Sequence, residues 1–319
     1  MDRRLADGCW MVDTRLGGVE HVNAAFLFEG PQPCLVETGA QLTADVVLAA
    51  LREHGLGPDD LATIVLTHIH LDHGGAVGEL AAAFPRATVI CHRAGARHLI
   101  DPTRLIASAA LVYGPALDGL YGRLTPVDAD RVVAADDNQL VDLGQGRRLR
   151  LVESPGHAKH HLGVFDEASG VLLVGDAVGI QVPGGGPLRP STPPADFDRD
   201  LAIASLHRFA ALQPAQVVLS HYGPVGEPQA ALGEAERVLR DWCDEAERVV
   251  GRGEGLDHLV LALAERFGAA GGAAVAVDPA VRNPVLHEFT SFESNAAGLY
   301  RWLQGRAGPE GRGGGTTRA

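Results

Sequence analysis

Aromatic side chains make up only 5% of the 319 residues, so Ala, Val, Leu and Gly must do most of the packing. Cysteine is scarcer still. Cys9, Cys34, Cys91 and Cys243 stand far apart with no CxxC pair. That disfavours a disulfide framework and fits buried free thiols in a reducing cytoplasm. No uninterrupted apolar run approaches the ~20 residues that cross a bilayer. The start, Met1 to Asp7, lacks the apolar centre of a signal peptide. A cytoplasmic protein with no membrane partner is therefore expected. Basic residues are outnumbered, 27 against 40, for a formal net charge of −13. Phosphate backbones need basic surface, so nucleic acid is not an expected partner either. The Gly-x-Ser-x-Gly elbow is missing, so no covalent serine nucleophile is expected.

What the chain does have is a dense run of metal-ligand side chains. Thr67-His68-Ile69-His70-Leu71-Asp72-His73-Gly74-Gly75 holds three imidazoles and a carboxylate within six residues. It follows the apolar run 61–66, which reads as a buried strand. Donors on a loop leaving a strand can turn inward together, and imidazole with carboxylate suits borderline divalent ions such as zinc. Three more strand-like runs end in the same manner. Ser154-Pro155-Gly156-His157 follows 149–152, Gly175-Asp176 follows 171–174, and Ser220-His221 follows 216–219. The seven candidate ligands are His68, His70, Asp72, His73, His157, Asp176 and His221. Seven are too many for one tetrahedral ion with an open position and suit two ions.

This order, HxHxDH, then a lone His, an Asp and a last His, resembles the metallo-β-lactamase superfamily over residues ~10–225. The resemblance implies an α/β (α+β) fold, a four-layer αβ/βα sandwich of two mixed sheets with outer helices. It also implies that His68, His70 and His157 hold one metal and Asp72, His73 and His221 a second, with Asp176 bridging. There are departures. Glu37-Thr38-Gly39 stands where the family often has Asp-Thr-Gly. Glu37 either supports a metal-bound imidazole from behind or faces solvent as a strand-end residue. Asp176 stands where zinc β-lactamases of the best-known subclass carry Cys, which disfavours antibiotic hydrolysis. His70 stands where flavodiiron proteins carry Glu. Lactone hydrolases of the superfamily commonly have a Tyr soon after the bridging Asp. Gly179 to Pro183 has none, leaving Tyr113, Tyr121 or Tyr222 as substitutes.

Alternating strands and helices are expected through residue 225. Paired strands at 22–29 and 33–37 precede a helix at 42–54. A short helix is expected at 75–84 and a strand at 87–91. Within this catalytic domain, 1–225, residues 92–130 read as a helical lid insert punctuated by Pro102, Pro115 and Pro126. Leu105, Tyr113, Leu120 and Tyr121 either shape a substrate pocket or pack the lid onto the sandwich. His92 and His98 read as surface or packing residues. His161 is expected to be structural and His160 to face solvent. The Pro/Gly-rich stretch 183–194 reads as a loop on the substrate side, and Asp196 or Asp198 caps a helix to about Leu212. Helices at 230–252, 256–267 and 295–303 form a C-terminal extension, 226–307. It completes the pocket, covers the sandwich or builds a homodimer contact. The tail 308–319 is expected to be disordered.

The expected chemistry is a zinc-dependent hydrolase with two Zn²⁺ per chain, Fe or Mn being possible replacements. A bridging hydroxide attacks a small ester, thioester or lactone, and Asp72 orients it and passes a proton to the leaving group. A second reading is a mononuclear non-heme iron enzyme like the persulfide dioxygenases, which keep the same motif. A non-catalytic binding protein is a third, disfavoured by the complete ligand set.

Overall fold

A computed structural model describes residues 2–181, 187–268, 285 and 292–306. Two mixed sheets face each other. The first has seven strands in sequence order, Arg3–Ala6 through Val132–Ala135. Its first three pairings are antiparallel and its last three parallel. The second has six strands, and only Val171–Leu173 with Gln216–Leu219 is parallel there.

Side-chain alternation sorts the layers. Phe26, Phe28, Val36 and Val65 pack against Leu149, Leu151, Leu162 and Val218, forming the core between the sheets. Their neighbours Leu27, Leu35, Ile64 and Val89 point the other way, onto Val47, Leu51 and Leu80 of the outer helices. On the second sheet Val152, Leu172, Val217 and Leu219 meet Leu206, Phe209 and Leu232 of helices Arg199–Ala211 and Pro228–Gly251. Helix, sheet, sheet and helix give the four expected layers.

Helices Arg93–Ile100 and Thr103–Tyr113, with the π-turn Leu117–Tyr121, lie between the last two strands of the first sheet. Asp198 caps Arg199–Ala211 by accepting from Leu201 N–H at 2.9 Å. Helix Leu256–Phe267 and helix Glu293–Arg306 join Pro228–Gly251 around Trp242, Leu263, Leu299 and Trp302. Strand Arg3–Ala6 at the edge, Cys9–Asp13 beside it, and Val132–Ala135, Leu140–Gly144 and Leu162–Asp166 add to the strands expected from sequence, and Arg147–Glu153 extends the expected run 149–152. These added strands are only four or five residues long, too short to show a clear period. All four cysteines are buried and free, and burial pushes Cys9, Cys91 and Cys243 up to about 12. Among the described residues no helix is long and apolar enough to cross a membrane. The tail 308–319 and residues 183–186 of the Gly-rich loop lie outside the described residues.

Candidate metal centre

Strand ends from both sheets meet at one edge, and each delivers a donor. Strand Thr63–Val65 leads into His68 and His70, and the short helix Leu71–Gly74 carries Asp72 and His73. Gly75 explains the glycine pair behind the motif. A Cβ there would lie 2.1 Å from the Leu71 carbonyl oxygen and 3.1 Å from Ala40 Cα, so only glycine lets this turn rest on the neighbouring chain. Strands Arg147–Glu153, Val171–Leu173 and Gln216–Leu219 bring His157, Asp176 and His221.

All seven expected ligands converge. His70 Nδ1 lies 3.0 Å from His68 Nε2 and 3.0 Å from His157 Nε2. His221 Nε2 lies 3.2 Å from His73 Nε2 and 3.2 Å from Asp72 Oδ2. These are two three-donor clusters able to hold a metal ion. Asp176 stands between them: Oδ1 is 3.3 Å from His73 Nε2, and Oδ2 is 3.7 Å from His157 Nε2.

Hydrogen bonds behind the rings decide what they present. His157 Nδ1 faces the Ser191 carbonyl oxygen at 3.1 Å, and His221 Nδ1 faces that of Val22 at 2.6 Å. A carbonyl only accepts, so each Nδ1 carries a proton and each ring turns its Nε2 to the centre. His73 Nδ1 faces the Glu37 carboxylate at 3.3 Å with the same result. The Nε2 atoms of His73 and His221, 3.2 Å apart, need either a proton or a metal cation between or beside them.

The electrostatics agree. Burial opposes a charge on His73, yet Asp72, Asp176 and Glu37 outweigh it and hold the ring well above its ordinary value. His221 is raised against burial by Asp176 and Asp72. Asp72 and Asp176 resist burial through His73 and His221 and stay well below the usual carboxylate range. Burial and neighbouring imidazoles lower His68, and burial with His157 takes His70 to about 4. Burial lowers His157 as well. The centre thus wants positive charge beside its carboxylates and neutral rings elsewhere, which is what a divalent cation needs. Asp176 Oδ1 and Glu37 Oε2 are buried and make no hydrogen bond among the described residues. The donor set fits a metal.

Glu37 does not face solvent. It is fully buried in a left-handed conformation, φ 68°, and accepts from Thr67 Oγ1 as well as from His73. Glu37, His68 and His73 also form a compact triple, but His73 would have to use the nitrogen already turned to Glu37. Support from behind is its geometric role. His160 departs from the solvent-facing expectation: it is half-buried, its ring 5.6 Å from that of His70, and burial takes it to about 3. Helix Arg93–Ile100 packs beside it: a Cβ on Gly95 would lie 3.8 Å from His160 Cβ. His161 is buried, bonds Ser154 Oγ at 2.8 Å and accepts from the Asp176 N–H at 3.2 Å. His92 caps Arg93–Ile100 and pairs with Glu153 at 3.3 Å.

A cavity of about 70 Å³ opens on the donors. His70, Asp72, His157 and Asp176 line it with Tyr113, Tyr121, Ser191, Thr192 and Asn295. Leu120 instead packs into the outer core of the first sheet, and Leu105 lies partly buried against it. Tyr222 turns away from the cavity, its ring 4.9 Å from that of His21. Sequence reasoning missed Ser191, Thr192 and Asn295 as individual residues. The Pro/Gly-rich stretch pointed to the first two, and nothing pointed to the third.

The profile of the metallo-beta-lactamase superfamily matches residues 17–221. The chain belongs to this superfamily. It is 36% identical over 171 residues, 52% of its length and 62% of the relative's, to a metallo-beta-lactamase fold-containing protein, ST1585, of Sulfurisphaera tokodaii. The crystal structure of ST1585 superposes with a TM-score of 0.66 at 25% identity, covering 93% of this chain and 98% of the other. The chain is 33% identical over 172 residues to hydroxyacylglutathione hydrolase of Alkalilimnicola ehrlichii, covering 54% of this chain and 50% of that one. It is 27% identical over 177 residues to the N-acyl homoserine lactonase AttM of Azorhizobium caulinodans, covering 54% and 63%. In these sequence matches the chain spans less than two thirds of each relative's length.

Proposed function

We propose that the chain is a dinuclear metal-dependent hydrolase of a small ester, thioester or lactone. The observation that carries this reading is Asp176 standing between two three-donor clusters whose imidazoles are turned inward by partners behind them. Imidazole and carboxylate donors suit zinc, and iron or manganese accept the same set. The metal pair supplies Lewis-acid activation of water and of the scissile carbonyl when bound. The remaining work falls to the chain. His68, His70 and His157 hold one ion, Asp72, His73 and His221 the other, and Asp176 serves both. Asp72 lines the cavity as a carboxylate, placed to accept a hydrogen bond from the attacking water and orient it. Tyr113 and Tyr121, with ring centroids 4.5 Å apart, bring phenol groups to the cavity, where an O–H can donate to a carbonyl or leaving-group oxygen. Ester-type chemistry is favoured because the relatives include proteins named as a hydroxyacylglutathione hydrolase, an N-acyl homoserine lactonase and a carboxyl ACP thioesterase.

The test is a screen of thioesters, lactones and esters with metal-loaded protein and its His70→Ala variant. Turnover is expected in the parent, and the variant loses roughly a hundredfold or more. Oxygen consumption with a thiol substrate, and no hydrolysis, would contradict the reading.

A further inference from the structure

Asn295 is distant in sequence from every metal-ligand candidate, yet it is tied to two of them through one short segment. Thr192 donates its backbone N–H to Asn295 Oδ1 at 2.7 Å, and its hydroxyl lies 2.8 Å from the same oxygen and 3.1 Å from the Asn295 carbonyl. Both residues are buried. One turn along the helix, a Cβ on Gly298 would sit 1.8 Å from the Thr192 carbonyl oxygen and 2.7 Å from the Pro193 carbonyl carbon. The helix backbone therefore lies directly on the segment, which Asn295 and Gly298 seat from one face. The adjoining residue faces the centre. Ser191 accepts from His157 Nδ1 through its carbonyl at 3.1 Å and donates its hydroxyl to Asp176 Oδ2 at 3.1 Å.

We propose that Asn295 is a positioning residue for the metal centre, fixing Ser191 and Thr192 so that they orient His157 and Asp176. The proposal rests on the reading of these two as metal donors. Residues that hold a ligand's far side set ring direction and basicity, and losing one typically costs about 10–100-fold in metal affinity. Asn295 offers Thr192 two accepting contacts on a helix already anchored by Leu299 and Trp302 in the C-terminal apolar cluster. The C-terminal helix thereby acts on the metal centre at a distance, in addition to forming a wall of the cavity.

The experiment compares the full-length parent with Asn295→Ala, Asn295→Asp, Thr192→Val and Leu299→Ala. Zinc affinity is read by competition with a chromophoric chelator, and ligand geometry by the visible spectrum of the cobalt-loaded protein. Asn295→Ala is expected to weaken zinc binding about tenfold or more and to shift the cobalt bands. Asn295→Asp keeps the accepting oxygen and restores both readouts. Thr192→Val, which removes only the hydroxyl, gives a smaller change in the same direction. Leu299→Ala lowers the melting temperature of the same helix and leaves both readouts at parent values. Folded Asn295→Ala with parent affinity and spectrum overturns the proposal, as does Leu299→Ala reproducing the loss. If Asn295→Ala does not fold, unchanged readouts in Thr192→Val overturn it. A parent that binds neither ion overturns the metal reading and this proposal with it. A parent that binds both while the variants match it overturns this proposal alone.

Discussion

The two halves of the sandwich equip the same centre in different ways. The first sheet delivers His68, His70, Asp72 and His73 from one loop and the helical turn after it. The second delivers His157, Asp176 and His221 singly, from three strand ends. Their supports differ as well. His73 and Thr67 lean on the Glu37 carboxylate, a residue of the same sheet. His157 and His221 lean on backbone carbonyls, those of Ser191 and Val22, brought from 34 and 199 positions away. The first half of the site is coded locally and stiffened by a charge. The second depends on the loops and on the last helix being in place.

The largest expected effect tests where the halves join. Asp176→Ala removes the carboxylate that reaches both clusters, so metal content should fall well below one ion per chain. Retention of a full complement would show that the halves are independent. Next, His70→Ala and His221→Ala should each lower the content from about two ions to about one, because each strikes a single cluster. A double loss from either variant breaks the division into two clusters. Glu37→Gln keeps the side chain's size but weakens the charge-assisted bond to His73, and should reduce zinc affinity about tenfold or more in a chelator competition. Ser191→Ala removes the hydroxyl from Asp176 but keeps the carbonyl for His157. Its effect should be smaller than that of Glu37→Gln, on the order of 1 kcal/mol in binding. A larger loss would show that the second half is the more sensitive to its supports. Smallest of all is the thiol test. With Cys9, Cys91 and Cys243 buried and pushed up to about 12, the native chain should resist a thiol reagent at pH 8 and react only on unfolding.

The same contrast explains what the sequence made legible. The HxHxDH run and the three strand-end donors stood out because their residue types recur directly after apolar runs, and the structure brings all seven together. The four layers were implied by the family resemblance, and the alternation of short apolar runs with helical segments agrees with them. Strands Arg3–Ala6, Cys9–Asp13, Val132–Ala135, Leu140–Gly144 and Leu162–Asp166 carried no such signal, because they are only four or five residues long and take their place from neighbouring strands. Glu37 remained ambiguous, since a strand-end Glu has the same local pattern whether buried or exposed. His160 was misplaced because helix Arg93–Ile100, more than sixty positions earlier, packs beside it at Gly95. Leu111 fits a helical apolar pattern yet is 89% exposed, so apolar spacing does not by itself fix which face of helix Thr103–Tyr113 packs. Asn295 had no local signal, because its role consists of contacts with Thr192 across 103 positions.

The most direct measurement is the metal content of the chain, by elemental analysis of protein purified without added metal or chelator. Two joined clusters predict about two divalent ions per chain, with zinc the expected element. One iron per chain would contradict the dinuclear hydrolase, and no metal even after reconstitution would mean that the inward-turned imidazoles hold protons alone.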